Sequence, residues 1–414
     1  MANRVGDKNM RLLILAIFFA TTAFGFFMQY LDYSRRNAKI PENVKDVYDK
    51  EAYKKYMAYT MDNTKFSIIS GVISTIIVLF MLLCNFHHYL YTVIPIENAI
   101  VMGLLIMFIP IAVIMVVGSL LGIYSTFVIE ARHGFNKTTP LTYIGDFFKG
   151  LILIAILGGG LMALFLWLYG LIGNWVFFAF FFVFVAFDIF TSFISPLLIR
   201  IYYKLTPIED GELKDKITAL ANETGVKLKG IYMVNESKRS TRLNAFASGF
   251  GKTKTIGLFD NLLEKFTHEE ILAILAHEIG HEKKRHIIKS FPLDMLYNIV
   301  IVAFAYFVVT NPHVSMAFGF EGANLAFGIY ALFILFTPLD LIFKMPENAL
   351  SRKHEYEADA FECEYAGKEA SISAIKKLYR EDLGNLTPHP FVVKLYHTHP
   401  TASERVAAFE SIER

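Results

Sequence analysis

Seven apolar runs, each about as long as a bilayer is thick, constrain this chain more than any other feature. They lie at roughly 12–30, 66–84, 99–126, 150–169, 175–199, 291–310 and 324–343. A helix needs about 20 apolar residues to cross the hydrocarbon layer. In lipid every backbone N–H and C=O must be bonded within the span, so runs of this length read as helices. Composition agrees: 54% of the 414 residues are hydrophobic, only 19% are charged, and Phe alone occurs 39 times. A soluble core does not need that much apolar surface. The first run is read as a retained span rather than a cleaved leader, because no A-x-A-like site precedes the charged stretch Asp32 to Lys39. A net charge of +2 leaves no broad basic field for nucleic acid. Two distant cysteines, Cys84 and Cys363, make neither a disulfide framework nor a metal site by themselves.

Charge between the runs sets the expected orientation. The loop 31–65 holds Arg35, Arg36, Lys39, Lys45, Lys50, Lys54, Lys55 and Lys65, whereas the loops 85–98, 170–174 and 311–323 hold no Lys or Arg. The loop 127–149 carries Arg132, Lys137 and Lys149, and the stretch 200–290 is rich in lysine. By the positive-inside rule the N-terminus lies outside, and 200–290 and 344–414 lie in the cytosol. The expected organisation is spans 1–5 in 1–200, a first soluble part in 201–290, spans 6 and 7 in 291–343, and a second soluble part in 344–414. Asp188 and Asp340 fall inside apolar runs, where an acid marks either a functional site or a hydrogen bond to a neighbouring helix.

The pattern changes after residue 210. Gly211 to Thr224 has helical spacing, and Lys229 to Val234, Leu243 to Phe250 and Thr255 to Phe259 read as short strands. Thr267-His268-Glu269-Glu270 is a capping box, so a helix starts there. That helix carries His277-Glu278-Ile279-Gly280-His281, an H-E-x-x-H motif. Residues at i and i+4 share one helix face, so both imidazoles can reach a single zinc ion. Glu278, one residue on, is placed to take a proton from the water that zinc activates. With 12 His and 24 Glu in 414 residues the motif arises by chance in roughly one such chain in fifty, and a chance hit need not fall in a capped helix.

A catalytic zinc needs a third protein ligand and an open position. The longer form of the motif is excluded, because Lys284 and Ile287 stand where it requires Gly and His. No Glu lies between Glu282 and Glu321, so the third ligand must come from beyond the next two spans or from elsewhere. Ser351 to Asp359 reads as helix, with Glu355 and Asp359 on one face and Glu357 about 200° away from Glu355 at ~100° per residue. Glu355 is assigned to zinc and Asp359 to orienting a ligating His. His354 is an alternative ligand. From spacing alone these are equally the solvated charges of an exposed helix.

These residues resemble the integral-membrane zinc CAAX prenyl proteases. Ser351-Arg352-x-x-Glu355-x-x-Ala358-Asp359 is similar to that family's third-ligand motif, and Glu130-x-Arg132-x-Gly134-Phe135-Asn136-Lys137-Thr138 to its most recognisable loop. Ser195-Pro196-Leu197, Thr206-Pro207, Glu209 to Leu213, Ser237 to Ser240, Asn244-Ala245-Phe246 and His399-Pro400 with Arg405 add to the resemblance. It implies seven helices around a water-filled chamber capped by an α+β zincin-like domain on the cytosolic side, in the ER membrane of a eukaryote or the inner membrane of a bacterium. It also implies a substrate whose C-terminal Cys carries an isoprenoid, cleaved to release the last three residues. Asn244, Ala245 and Phe246 would pair with the substrate backbone as an added strand. His399 or Arg405 would stabilise the oxyanion; on the residues alone they are a helix N-terminal turn and an exposed charge.

The sequence therefore reads as a mainly α, polytopic zinc endopeptidase acting on prenylated or membrane-associated protein chains within a lipid bilayer. Two other readings remain open at this point: a membrane quality-control protease of broader specificity, and a non-enzymatic transporter or scaffold with a structural metal.

Overall fold

The computed structural model describes residues 2–248 and 254–412, with no side-chain description at 2–5, 191–198 and 247–248. Long helices account for the apolar runs: α1 (Ala2–Ser34), α2 (Lys50–Leu83), α3 (Ala99–Tyr124), α4 (Pro140–Ile172), α5 (Trp175–Tyr202), α8 (His286–Thr310) and α9 (Leu325–Ala366). Six of them are long and apolar enough to cross a membrane. The fifth run falls in α5, whose described apolar stretch is Trp175–Phe190. Gly173 and Asn174 alone separate α4 from α5, and Gly173 adopts φ 57°, so the gap is a tight hairpin.

These helices expose large apolar side chains such as Phe19, Ile76, Leu120, Phe178, Phe307 and Phe333. Such a surface would aggregate in water, and lipid solvates it. Inward-facing residues of the same helices, including Ile14, Leu82, Ile106 and Phe327, pack into one core with Phe318 from the connection before α9. The two acids that fall in apolar runs make interhelical bonds. Asp188 on α5 accepts from Asn298 on α8 at 3.0 Å, and Asp340 on α9 accepts from Tyr297 on α8 at 3.2 Å and pairs with Lys344.

Between the fifth and sixth long helices lie β1 (Leu205–Pro207), α6 (Glu212–Glu223), β2 (Leu228–Val234), β3 (Ala245–Ser248), β4 (Lys254–Phe259) and α7 (His268–Lys283). The sheet order is β1-β2-β4-β3, with β2 and β4 parallel and both outer pairs antiparallel. The strand expected at Leu243 to Phe250 is corrected at its start. Leu243 turns into the core, and regular pairing with β4 begins at Ala245, opposite Leu258, just after a bond from the Phe259 N–H to the Asn244 carbonyl. Its far end, Gly249 and Phe250, lies outside the described residues. After α9 come α10 (Lys368–Glu381), α11 (Pro390–Tyr396) and α12 (Ala402–Ser411).

α9 runs 42 residues without a break, through the boundary expected at 343/344. It packs along both α7 and α8. Two glycines permit that closeness. A Cβ on Gly280 would lie 3.1 Å from Ala358 Cα, and one on Gly328 would lie 2.8 Å from Val309 Cα. The basic loop after α1 also belongs to this assembly. Val44, Val47 and Tyr48 are buried with Cys363, Ala402, Val406 and Phe409, and the Tyr48 hydroxyl donates to the Tyr379 and Gly384 carbonyls.

Candidate metal centre

The capped helix forms as its sequence requires. Thr267 Oγ1 accepts from the Glu270 N–H and Glu270 returns a bond to the Thr267 N–H, which satisfies two otherwise orphaned donors. One face of α7 buries Ile271, Ala273, Leu275, Ala276 and Ile279 against the sheet and α10. The other face turns His277 and His281 towards α9, and their Nε2 atoms lie 3.1 Å apart.

Glu355 arrives from α9, also buried. Its Oε2 lies 3.2 Å from His277 Nε2 and its Oε1 lies 3.3 Å from His281 Nε2. One ligand atom from each residue falls within 4.8 Å of the others. Glu355 Oε2 is buried yet has no hydrogen-bond partner. A buried carboxylate oxygen without a donor is costly. Two imidazole nitrogens and a carboxylate converging on one point are the N/N/O donor set that suits zinc, so these residues fit a divalent metal. Burial works against ionisation of Glu355, but the two imidazoles outweigh it and hold the carboxyl far below its usual range.

Behind His277 lies a second convergence. Its Nδ1 is 2.9 Å from Asp359 Oδ1 and 3.4 Å from Glu362 Oε2. Asp359 is almost fully buried and receives both Nε and Nη2 of Arg405, at 2.9 and 2.5 Å. The guanidinium also comes within 3.9 Å of Glu362 Oε2 and approaches His277 Nδ1 at 3.3 Å. Burial opposes ionisation of Asp359, and His277 and Arg405 together keep its carboxyl below the ordinary value. Arg405 is thus buried and engaged. His399 is exposed, with Nε2 3.4 Å from Glu355 Oε1 and Nδ1 at 2.8 Å from the Thr398 hydroxyl.

Glu278, His399 and Arg405 line one cavity of about 200 Å³ together with Asn244 and Ala245. Burial raises the Glu278 pKa against the pull of both imidazoles. Leu243, Leu262, Ile274 and Ile375 supply an apolar wall. β3 borders this cavity as an edge strand, pairing, among the described residues, with β4 on one side only. Phe246 does not line it; its ring stands over Gly257, where any Cβ would collide with it.

His354 is not among the converging ligands; its ring stacks on His286 at 4.1 Å. Cys363 is buried elsewhere, and no thiol joins a potential metal group among the described residues. A structural zinc site is normally closed by four protein ligands, whereas this site brings three. Sequence reasoning missed Glu362 and His286. Glu362 follows Glu355 at i+7 and Asp359 at i+3, so the same helical stripe could have revealed it. The two motifs around residues 130–138 and 237–240 also meet: Lys137 N–H donates to the Arg239 carbonyl, and Arg239 pairs with Asp146.

Comparison with known proteins follows this division of the chain. Residues 29–200 match a family described as CAAX prenyl protease N-terminal, five membrane helices, and residues 207–413 match peptidase family M48. CAAX prenyl protease 1 of Saccharomyces cerevisiae is 30% identical, over 97% of this chain and 95% of its own length. The Arabidopsis thaliana homologue is 30% identical, over 97% and 99%, and the Homo sapiens homologue 26%, over 91% and 89%. The crystal structure of S. mikatae Ste24p superposes with a TM-score of 0.91 at 28% identity, covering 97% of this chain and 99% of that one. The chain belongs to the CAAX prenyl protease family within peptidase family M48 and is a multi-pass integral membrane metalloendopeptidase.

Proposed function

We propose that this membrane metallopeptidase removes the C-terminal tripeptide from proteins whose CAAX cysteine carries an isoprenoid, using zinc held by His277, His281 and Glu355. The observation that carries the reading is the convergence of those three side chains, one of which, His277, lines the same cavity as Glu278 beside the edge strand β3. The printed names of the relatives supply the substrate class.

When bound, zinc supplies Lewis acidity, polarising the scissile carbonyl and lowering the pKa of a water. The chain's own residues do the rest. Glu278 is the general base: it takes the proton from the attacking water and returns it to the departing amine. Burial, which makes its carboxylate more basic, suits it to both transfers. The substrate lies along β3 at Asn244 to Ser248, where backbone bonds fix the scissile peptide without reading its side chains. Asn244 and Ala245 border the cavity directly; Phe246 acts from the other side of the strand by filling the space over Gly257. The aliphatic wall receives the side chain that follows the scissile bond. His399, exposed and uncommitted to any carboxylate partner closer than 3.4 Å, donates to the developing oxyanion. Arg405 acts through Asp359, holding it against His277 Nδ1 and so fixing the tautomer that leaves Nε2 free to ligate.

We further propose that α5 is the seventh span, that the spans surround a chamber, and that the soluble parts 201–290 and 344–414 form one domain on the cytosolic side. In a eukaryote this is the ER membrane, in a bacterium the inner membrane. The lysine and arginine alternation supports that orientation.

The test is cleavage of a farnesylated C-terminal peptide by purified protein, beside its unprenylated twin and a chelator control. Prenyl-dependent release of a tripeptide, abolished by chelator and restored by Zn2+, is the expected result. Equal cleavage of both peptides would move the assignment to a protease of broader specificity. No cleavage of either, with one zinc bound per chain, would overturn it.

A further inference from the structure

The two histidines of the H-E-x-x-H motif are held in different ways. His277 has a buried carboxylate, Asp359, directly on its Nδ1. His281 has none. Its Nδ1 lies 2.9 Å from Nδ1 of another histidine, His286. The turn after α7 produces this contact. Lys284 ends the helix, Arg285 takes a left-handed conformation at φ 55°, and α8 starts at His286, which falls back against the ligand five residues before it.

His286 continues the connection. Its Nε2 lies 3.2 Å from Glu357 Oε2, and the same oxygen accepts from Lys289 at 2.5 Å. The ring is buried and stacks parallel on His354, with centroids 4.1 Å apart and planes 8° apart. The stack leaves the imidazole one orientation, with one nitrogen facing His281 and the other facing Glu357.

Proton placement along this line is determined by the first member. If His281 ligates through Nε2, that nitrogen carries a lone pair, so its Nδ1 carries the hydrogen and donates. His286 Nδ1 must then accept, which puts the hydrogen of His286 on Nε2, facing the carboxylate of Glu357. Each tautomer fixes the next. Metal-bound histidines ordinarily pass their second N–H to a carboxylate or carbonyl; here the carboxylate stands one imidazole further away.

Resting on the zinc assignment above, we infer that His286, Glu357 and Lys289 form a positioning relay that fixes the tautomer and orientation of His281 and thereby sets metal affinity at this site. None of the three touches the reacting atoms. The relay also accounts for Glu357, which points away from the metal-facing stripe of α9 yet is not an idle surface charge.

The experiment measures Zn2+ affinity of the full-length protein in detergent by chelator competition, alongside thermal unfolding. His286→Phe keeps a ring to stack on His354 and removes the acceptor; affinity should fall by about 10–100-fold, as for other residues that orient metal ligands. His286→Gln restores an acceptor oxygen and should recover part of that loss. Glu357→Ala should shift affinity in the same direction by less, and at a partly exposed position it tests the relay even where the Phe variant does not fold. Affinity of His286→Phe within about twofold of the parent lies outside the range for such residues and overturns the inference. Equal losses in the Phe and Gln variants, or an unchanged Glu357→Ala, overturn it too. A parent protein that binds no Zn2+ at all refutes the zinc assignment itself, a result separable from failure of the relay.

Discussion

At the scale of single residues, the site separates groups that act on substrate from groups that hold other groups. Glu278 borders the cavity and belongs to the first kind. Glu278→Gln should lower turnover of the farnesylated peptide by about 10²–10⁴-fold, the usual worth of a general base, while zinc content by elemental analysis stays at the parent value. Loss of zinc together with activity would remove Glu278 from the base role. Arg405 belongs to the second kind. Arg405→Met would leave Asp359 and Glu362 buried without a cation. Breaking a buried pair from one side costs about 3–5 kcal/mol, so the variant should unfold at a clearly lower temperature as well as bind zinc less tightly. A variant with normal thermal stability would show that the guanidinium does not sustain the carboxylates.

At the scale of elements, the site depends on how closely α7 and α9 approach. Gly280 sits between the two ligands of α7, and a Cβ there would press on Ala358 Cα at 3.1 Å and Phe361 Cβ at 3.2 Å. Gly280→Ala should push the helices apart and pull Glu355 away from the imidazoles. Its zinc affinity should therefore fall more than its helix content, as seen by chelator competition beside circular dichroism. Preserved affinity would mean that the interface yields elsewhere. The cap of α7 makes a pH-dependent contribution. Burial alone would raise the Glu270 carboxyl, but bonds from Ser373, the Thr267 N–H and Lys377 hold it below 4.5. A carboxyl depressed in the folded state contributes stability above its unfolded pKa, and that contribution disappears as pH falls through the folded value. The melting-temperature gap between the parent and Glu270→Gln should be full at pH 7 and narrow below about pH 4.5. An equal gap at both pH values would show that the charge of Glu270 contributes nothing.

At the scale of the whole molecule, the orientation we propose from the charge pattern has loops 31–65 and 127–149 with both soluble parts on one side, and loops 85–98 and 311–323 on the other. In sealed vesicles whose cytosolic face lies inward, an impermeant thiol reagent should modify a Glu97→Cys variant made in a Cys84→Ser background, since Cys84 is itself exposed, while a C-terminal tag stays protected from added protease. The reverse pattern would invert the proposed orientation. What the chain alone determined were the features written in local spacing. Apolar runs of membrane length specified helices, because lipid leaves the backbone no other partner. Thr267 and Glu270 specified where α7 begins, and His277 and His281 share a face because a helix repeats every 3.6 residues. Tertiary structure decided what depends on approach between distant segments. Spacing left Glu355 as readily a solvated charge as a ligand; only the packing of α9 on α7 brings it within 3.3 Å of both imidazoles. Arg405 read as exposed until α12 carried it under Asp359. His286 carried no signal of its own, since its contact with His281 arises from one left-handed residue, Arg285, whose conformation no helical or strand period encodes.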